Sequence, residues 1–200
     1  MVTFGVVALV LGSPVVWFFL ARRPSLRLVN RFDLPLELVL PDSTRAAIPP
    51  GTARNFRLPG GGLVRVLWSV AARPSPNGGP MGLPVSGELQ LRSPRDSATE
   101  VGLGQARMAM FEPLITNHTD GALRIVVNAG LAMAQDCGCV VPPGVERYPI
   151  GFYPLYRNTS VRAVDSLSRQ ATFTNLGVEA RRRGWRLGLE FKDRDFRRIP

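Results

Sequence analysis

Hydrophobic residues are arranged along this chain in two different ways. Residues 2–21 form one continuous stretch without a charged side chain, rich in Val, Leu, Phe and Trp. Beyond it, apolar and polar residues alternate in short runs separated by glycine and proline, which is the pattern of half-buried β-strands. We see no convincing amphipathic helix in that region. The sequence therefore predicts one N-terminal apolar helix followed by a mainly β structure.

The apolar stretch is long enough to cross a membrane, because about 20 helical residues span a hydrocarbon core of ~30 Å. A cleaved signal peptide is the alternative, but such peptides begin with basic residues and end in small ones. Here the start is uncharged, and a Trp-Phe-Phe-Leu run at 17–20 occupies the cleavage position. We therefore predict a retained single-pass anchor over residues 1–23, with Trp17, Arg22 and Arg23 contacting lipid or a partner.

The alternating runs fall into two series of predicted strands. The first series covers residues 26–32, 34–40, 53–58, 63–70 and 86–91, and the second covers 108–116, 122–128, 145–156, 171–176 and 185–191. Glycine and proline mark residues 74–84 as a loop or hairpin, and 93–104 is the expected linker between the series.

Both series repeat the same order of signals. Asn30 and Asn117 each end a strand, an apolar strand follows, and a Pro-Pro-Gly turn then leads into a strand with Phe56 or Phe152. Turn residues at this spacing are typical of immunoglobulin-like sandwiches. We predict two related β-sandwich modules, at 24–95 and 106–200, joined by a linker at 96–105. A single larger sandwich is the alternative.

The net charge of +10 suggests an anionic partner, but its make-up weakens that interpretation. Lys192 is the only lysine among 25 basic residues. An arginine-rich chain with many Ala, Gly and Pro residues is typical of GC-rich coding.

One basic segment also carries an aromatic residue and is a candidate for contacts with lipid phosphates or an acidic partner, with a solvated hairpin as the alternative. Its residues are Arg181, Arg182, Arg183, Trp185 and Arg186. We expect no nucleic-acid partner.

Cys137-Gly-Cys139 is the one constellation with possible chemistry. In an extended strand both thiolates would point to one face and could hold a soft ion such as Cu(I), with Met133 as an extra ligand. A disulfide is less natural, because only a turn at Gly138 brings the two Cα atoms close enough. Two small buried side chains are the structural alternative. His118 lies in a predicted loop, and no catalytic motif accompanies it.

Residues 115–153 resemble part of the CtaG-type assembly proteins, which are anchored sandwich proteins. The resemblance rests on Asn117, Cys137-x-Cys139, the Pro-Gly pair at 143–144 and the Pro-Ile-Gly-Phe-Tyr run at 149–153, although Gly138 and Val140 replace the family's aromatic residues. It implies copper delivery to cytochrome c oxidase, with Cys137 and Cys139 as the copper ligands.

We expect a non-enzymatic accessory subunit of a larger respiratory or photosynthetic membrane complex, with other subunits and lipids as partners and no required cofactor. A copper chaperone and an anionic-lipid or nucleic-acid binder are the alternatives. The expected location is the bacterial inner membrane. Four arginines follow the apolar stretch and favour a cytoplasmic domain by the positive-inside rule, whereas the sandwich fold favours the periplasm. They are Arg22, Arg23, Arg27 and Arg31.

Overall fold

The computed structural model describes residues 25–58, 63–92 and 98–198, and this part of the chain is mainly β. None of the helices in these ranges has the length and apolar character needed to cross a membrane. The predicted anchor at 1–23, with Trp17, Arg22 and Arg23, lies outside the described residues.

The first half of the chain forms two sheets. A three-stranded sheet has the order β4-β1-β9, in which β1 pairs antiparallel with β4 and parallel with β9. An antiparallel four-stranded sheet has the order β3-β2-β5-β8, and the short strands β6 and β7 form a separate hairpin. The strands are β1 Ser25–Asn30, β2 Leu36–Val39, β3 Arg45–Ile48, β4 Ala53–Arg57, β5 Leu63–Val70, β6 Arg73–Pro74, β7 Pro80–Met81, β8 Val85–Arg92 and β9 Ala98–Val101.

The second half repeats this pairing scheme. Its long strand β10 pairs antiparallel with β13 and β14 and parallel with β17, as β1 does with β4 and β9. The antiparallel sheet β12-β11-β15-β16 corresponds to β3-β2-β5-β8. The elements are β10 Met110–Asn117, β11 Leu123–Val127, β12 Gln135–Val141, β13 Tyr148–Pro149, β14 Tyr153–Pro154, β15 Val161–Val164, β16 Gln170–Phe173, the short helix α1 Gly177–Arg182 and β17 Arg186–Phe191.

Two asparagines hold equivalent positions at the ends of β1 and β10. The Asn30 side chain donates to the carbonyls of Leu34 (2.8 Å) and Ile48 (3.0 Å), and its Oδ1 accepts from the backbone N–H of Phe32 at 2.9 Å. Asn117 makes the same bonds to Gly121 (2.8 Å), Val141 (3.0 Å) and Thr119 (3.0 Å).

The amide side chains of Asn30 and Asn117 therefore connect the two sheets of each half. Asn30 at the end of β1 bonds to Ile48 at the end of β3, and Asn117 at the end of β10 bonds to Val141 at the end of β12. Both Pro-Pro-Gly turns use a glycine with positive φ, +65° at Gly51 and +72° at Gly144. The two phenylalanines that the repeat treats as equivalent have different positions. Phe56 lies opposite Leu26 within the first half, whereas Phe152 is fully buried against Phe32 at a ring separation of 5.8 Å.

Each half has its own hydrophobic core, and the two cores exchange side chains where the halves meet. Met81 of the first half packs in the second core, while Met110 and Phe152 of the second half pack in the first. Gly82 and Gly151 permit this contact, because a Cβ on Gly82 would lie 2.5 Å from the Phe152 carbonyl oxygen. The halves therefore meet across a packed junction.

Two expectations about secondary structure are corrected here. The segment expected as a linker contains β9, which completes the first three-stranded sheet beside β1. Helix α1 was not expected, and its buried residues Gly177 and Ala180 pack it onto the second half.

Candidate functional site

The outer face of the β3-β2-β5-β8 sheet carries an open groove of about 670 Å³. Strands β2 and β5 alternate between buried and exposed residues, so every second side chain points away from the core. Two of the outward apolar residues line the groove: Val39 is 36% exposed and Leu67 is 46% exposed. They are paired across β2 and β5, which gives the groove an apolar strip on its floor.

One wall of the groove is built by residues 105–107. Ala106 forms an antiparallel bridge to Gly87 of β8, and the Arg107 N–H donates to the Ser86 carbonyl at 2.8 Å. Glycine is required at position 87, because a Cβ there would lie 2.5 Å from both the Trp68 ring and the Gln105 carbonyl oxygen. The wall is therefore fixed to the sheet.

Charged groups of both signs border the apolar strip. Glu37 and Glu88 line the groove together with Arg107, and Glu88 forms an ion pair with Arg65 at 2.8 Å. A second concavity on the same face is lined by Glu37, Val39 and Arg45. An apolar floor with a mixed polar rim suits a segment of another protein, since interfaces commonly combine an apolar centre with a charged border.

The groove was missed by reasoning from sequence, although a signal for it exists. Strict alternation would place polar residues at 39 and 67, but apolar residues run consecutively over 38–40 and 66–68. Both runs put an apolar side chain on the outer face.

Cys137 and Cys139 are joined by a disulfide with a Cα–Cα distance of 5.1 Å. Gly138 adopts φ +63° and bulges β12, which is the turn that the sequence required for this bond. Both cysteines are buried in the second core. The predicted copper site needs two thiolates, and the disulfide leaves neither sulfur as a thiolate in this form.

Nothing else in the described ranges completes a metal site: no three His, Cys, Asp or Glu side chains cluster there. Met133, the suggested extra ligand, is 48% exposed. The His118 imidazole is also on the surface, 3.8 Å from the Glu190 carboxylate.

The predicted basic segment divides into two parts. On the surface, Arg182 and Arg183 pair with Glu179 of α1 at 3.6 and 2.6 Å, and Arg181 is also exposed. Trp185 instead packs against both cores, and Arg186 turns into the junction. Of the predicted basic segment, Arg181, Arg182 and Arg183 form an accessible basic surface.

Arg186 belongs to a cluster of four charges that crosses the junction. Asp33 and Arg73 come from the first half, and Glu112 and Arg186 from the second. The side chain of Glu112 is 1% exposed and lies 2.8 Å from both Arg73 and Arg186, while Arg73 also contacts Asp33 at 2.6 Å. Burial raises the pKa of the Glu112 carboxyl, and the guanidiniums of Arg186 and Arg73 counteract only part of that rise.

Comparison with protein-family models, curated proteins and solved structures finds no match for this chain. The groove, the disulfide and the junction are therefore the features from which a function can be argued.

Proposed function

We propose that this chain is a non-catalytic, single-pass accessory subunit that docks on and stabilises a larger energy-transducing membrane complex, respiratory or photosynthetic. The observation that carries the proposal is the groove with Val39 and Leu67 on its floor. We choose an energy-transducing complex as the partner by analogy of architecture. Small single-pass subunits with an extramembrane domain are common in respiratory and photosynthetic complexes.

Burial of the groove floor would supply part of the docking energy. Removing apolar surface from water contributes about 25 cal/mol per Å², so a partner that covers Val39 and Leu67 gains binding energy in proportion to the area it buries. The adjoining Glu37, Glu88 and Arg107 would set the orientation of the partner segment through complementary charges.

The buried disulfide supports a periplasmic position for the β-rich region. Disulfides persist in oxidising compartments and are rare in the cytosol, where thiols are kept reduced. This favours the periplasm over the cytoplasmic placement that Arg22 and Arg23 suggest, and long domains are translocated largely regardless of flanking charge.

The test is extraction of the full chain from its native membrane in a mild detergent, followed by identification of the chains that co-purify. Leu67→Glu places a charge on the groove floor and should reduce the recovered partner subunits at least tenfold, which corresponds to a loss of about 1.4 kcal/mol. Leu167→Glu is the matched control, because Leu167 is 64% exposed in a turn of the second half, away from the groove.

Equal thermal unfolding of both variants would show that neither change disturbs the fold. A wild-type chain that purifies alone would overturn the proposal. Recovery of partners with Leu67→Glu at the wild-type level would remove the groove as the docking site.

A further inference from the structure

The first half of the chain has two opposite ends, and the strand pairing identifies them. Strand β1 enters at Ser25, where Arg57 at the end of β4 is its direct partner. Strand β9 starts at this same end, since Ala98 pairs in parallel with Arg27. We call this the entry end.

The second half is attached at the other end. Asn30 closes β1 there, and Asp33 and Arg73 make the ion pairs to Glu112 and Arg186 of the second half. Five residue steps separate Ser25 from Asn30, which is about 17 Å along a strand. The entry end and the junction therefore lie at opposite ends of the first half.

The membrane anchor of the proposed function limits how far the entry end can lie from the bilayer, and the inference rests on that anchor. Only residues 22–24 separate the apolar stretch from Ser25. Four residue steps reach at most about 14 Å even when fully extended. The entry end must then lie within that distance of the end of the apolar stretch, in the range of the lipid headgroups.

The side chains at the entry end fit such a surface. Arg27 and Arg57 are exposed, and neither forms an ion pair with another described residue. Arg31, just past the end of β1, is instead paired with Glu100. Leu63, which begins β5 shortly after β4 ends, is 56% exposed. Two exposed arginines that pair with no acid in the described ranges, beside an exposed leucine, match an anionic, partly apolar boundary.

We propose that the entry end, formed by Arg27, Arg57 and Leu63, is a docking surface for anionic phospholipid headgroups. It holds the first half upright on the membrane and the second half away from it. The exposed arginines Arg181 and Arg182, which the sequence suggested as lipid contacts, end helix α1 of the second half, and this orientation keeps them farther from the bilayer than the entry end.

A fluorescent probe on an introduced cysteine can test this surface, because Cys137 and Cys139 are paired and leave no free thiol for the label. The full chain is reconstituted in nanodiscs of phosphatidylcholine, alone or with phosphatidylglycerol, and the probe is quenched by spin-labelled lipid. A probe at Leu63→Cys should be quenched more strongly in the anionic discs, and a probe at Leu167→Cys should not respond.

Paired charge variants separate local contact from long-range attraction. Arg27→Gln with Arg57→Gln should lower the ratio of docked to undocked chains by roughly fivefold for each arginine. Arg181→Gln with Arg182→Gln changes the net charge equally and should leave the quenching unchanged. High salt should weaken quenching of the wild-type chain.

Each contrary result has its own meaning. A chain that carbonate strips from membranes has no anchor, which overturns the proposed function together with this inference. A chain that stays in the membrane but shows equal quenching at positions 63 and 167, or a larger loss with the Arg181 and Arg182 changes, overturns the lipid-docking surface alone.

Discussion

At the residue scale, Asn30 and Asn117 are the clearest link between sequence and fold. Each amide donates to at least two backbone carbonyls, one of them in a buried bond, and accepts from one backbone N–H. A buried polar group without a partner costs about 1–3 kcal/mol, so few side chains can serve here. The asparagine was recognisable from sequence because its role is local. Its bonds to Ile48 and Val141 were not, since they depend on how the two sheets face each other.

Asp165 makes a second set of local bonds, in the turn between β15 and β16. Its carboxylate accepts from the Arg169 N–H at 2.8 Å, the Leu167 N–H at 3.0 Å and the Arg169 guanidinium at 2.6 Å. Burial alone would raise the pKa of Asp165, but these hydrogen bonds outweigh it and lower the pKa. The charged form is therefore favoured by folding.

This lowered pKa predicts a pH dependence of stability. An unfolded aspartate titrates near pH 3.9, so the contribution of Asp165 is complete above that value and is lost as the pH falls through the lower, folded pKa. Asp165→Asn should reduce the free energy of unfolding by about 1 kcal/mol at pH 7, and the difference from wild type should vanish in strong acid. Urea unfolding between pH 7 and pH 2 measures this. Asp120→Asn, on the exposed β10–β11 turn, should show no such difference at any pH.

At the element scale, the strands with clear alternation and flanking turn residues were predicted from sequence. Strand β5 was expected at 63–70 and is Leu63–Val70, and β17 was expected at 185–191 and is Arg186–Phe191. Strand β9 was missed because its sequence, Ala-Thr-Glu-Val, contains little apolar surface and gains its place by pairing with β1. Helix α1 was missed because six residues are too few to show a helical repeat.

Strand β12 illustrates a feature that the sequence left open. Its bulge at Gly138 puts both cysteine side chains into the core, and the Gly138 carbonyl then accepts from Ser75 of the first half at 3.3 Å. Whether Cys137 and Cys139 would bind copper, pair or remain free depended on the conformation of one glycine. Spacing alone could not decide that.

The disulfide in β12 should stabilise the protein only modestly, because it closes a very short loop in the unfolded chain. A loop of about three residues predicts about 1.5 kcal/mol from chain entropy. Reducing agent should therefore lower the free energy of unfolding of the wild-type chain by roughly that amount. The Cys137→Ala/Cys139→Ala variant should be indifferent to reductant. If the wild-type chain is equally indifferent and carries two reactive thiols, the cysteines are not paired in the native protein.

At the scale of the whole molecule, the junction makes one structure of two repeated halves. The repeat itself was visible in the order of asparagine, apolar strand and Pro-Pro-Gly turn. The junction was not, because Asp33, Arg73, Glu112 and Arg186 are far apart in sequence and none of them carries a motif. Arg186 was expected on a basic surface, whereas the buried carboxylate of Glu112 draws it inward.

The buried charges at the junction should couple the unfolding of the two halves. Removing one partner of a buried ion pair costs up to about 3–5 kcal/mol when the remaining charge stays desolvated, and Arg73 here is only 14% exposed. Glu112→Ala leaves Arg73 and Arg186 facing only Asp33, so it should lower stability by that amount and separate one calorimetric transition into two. Glu88→Ala removes a surface ion pair and should cost no more than about 1 kcal/mol, with a single transition retained. A single transition for Glu112→Ala, shifted no further than that of Glu88→Ala, would mean that apolar contacts such as those of Met81 and Phe152 couple the halves without help from the charges.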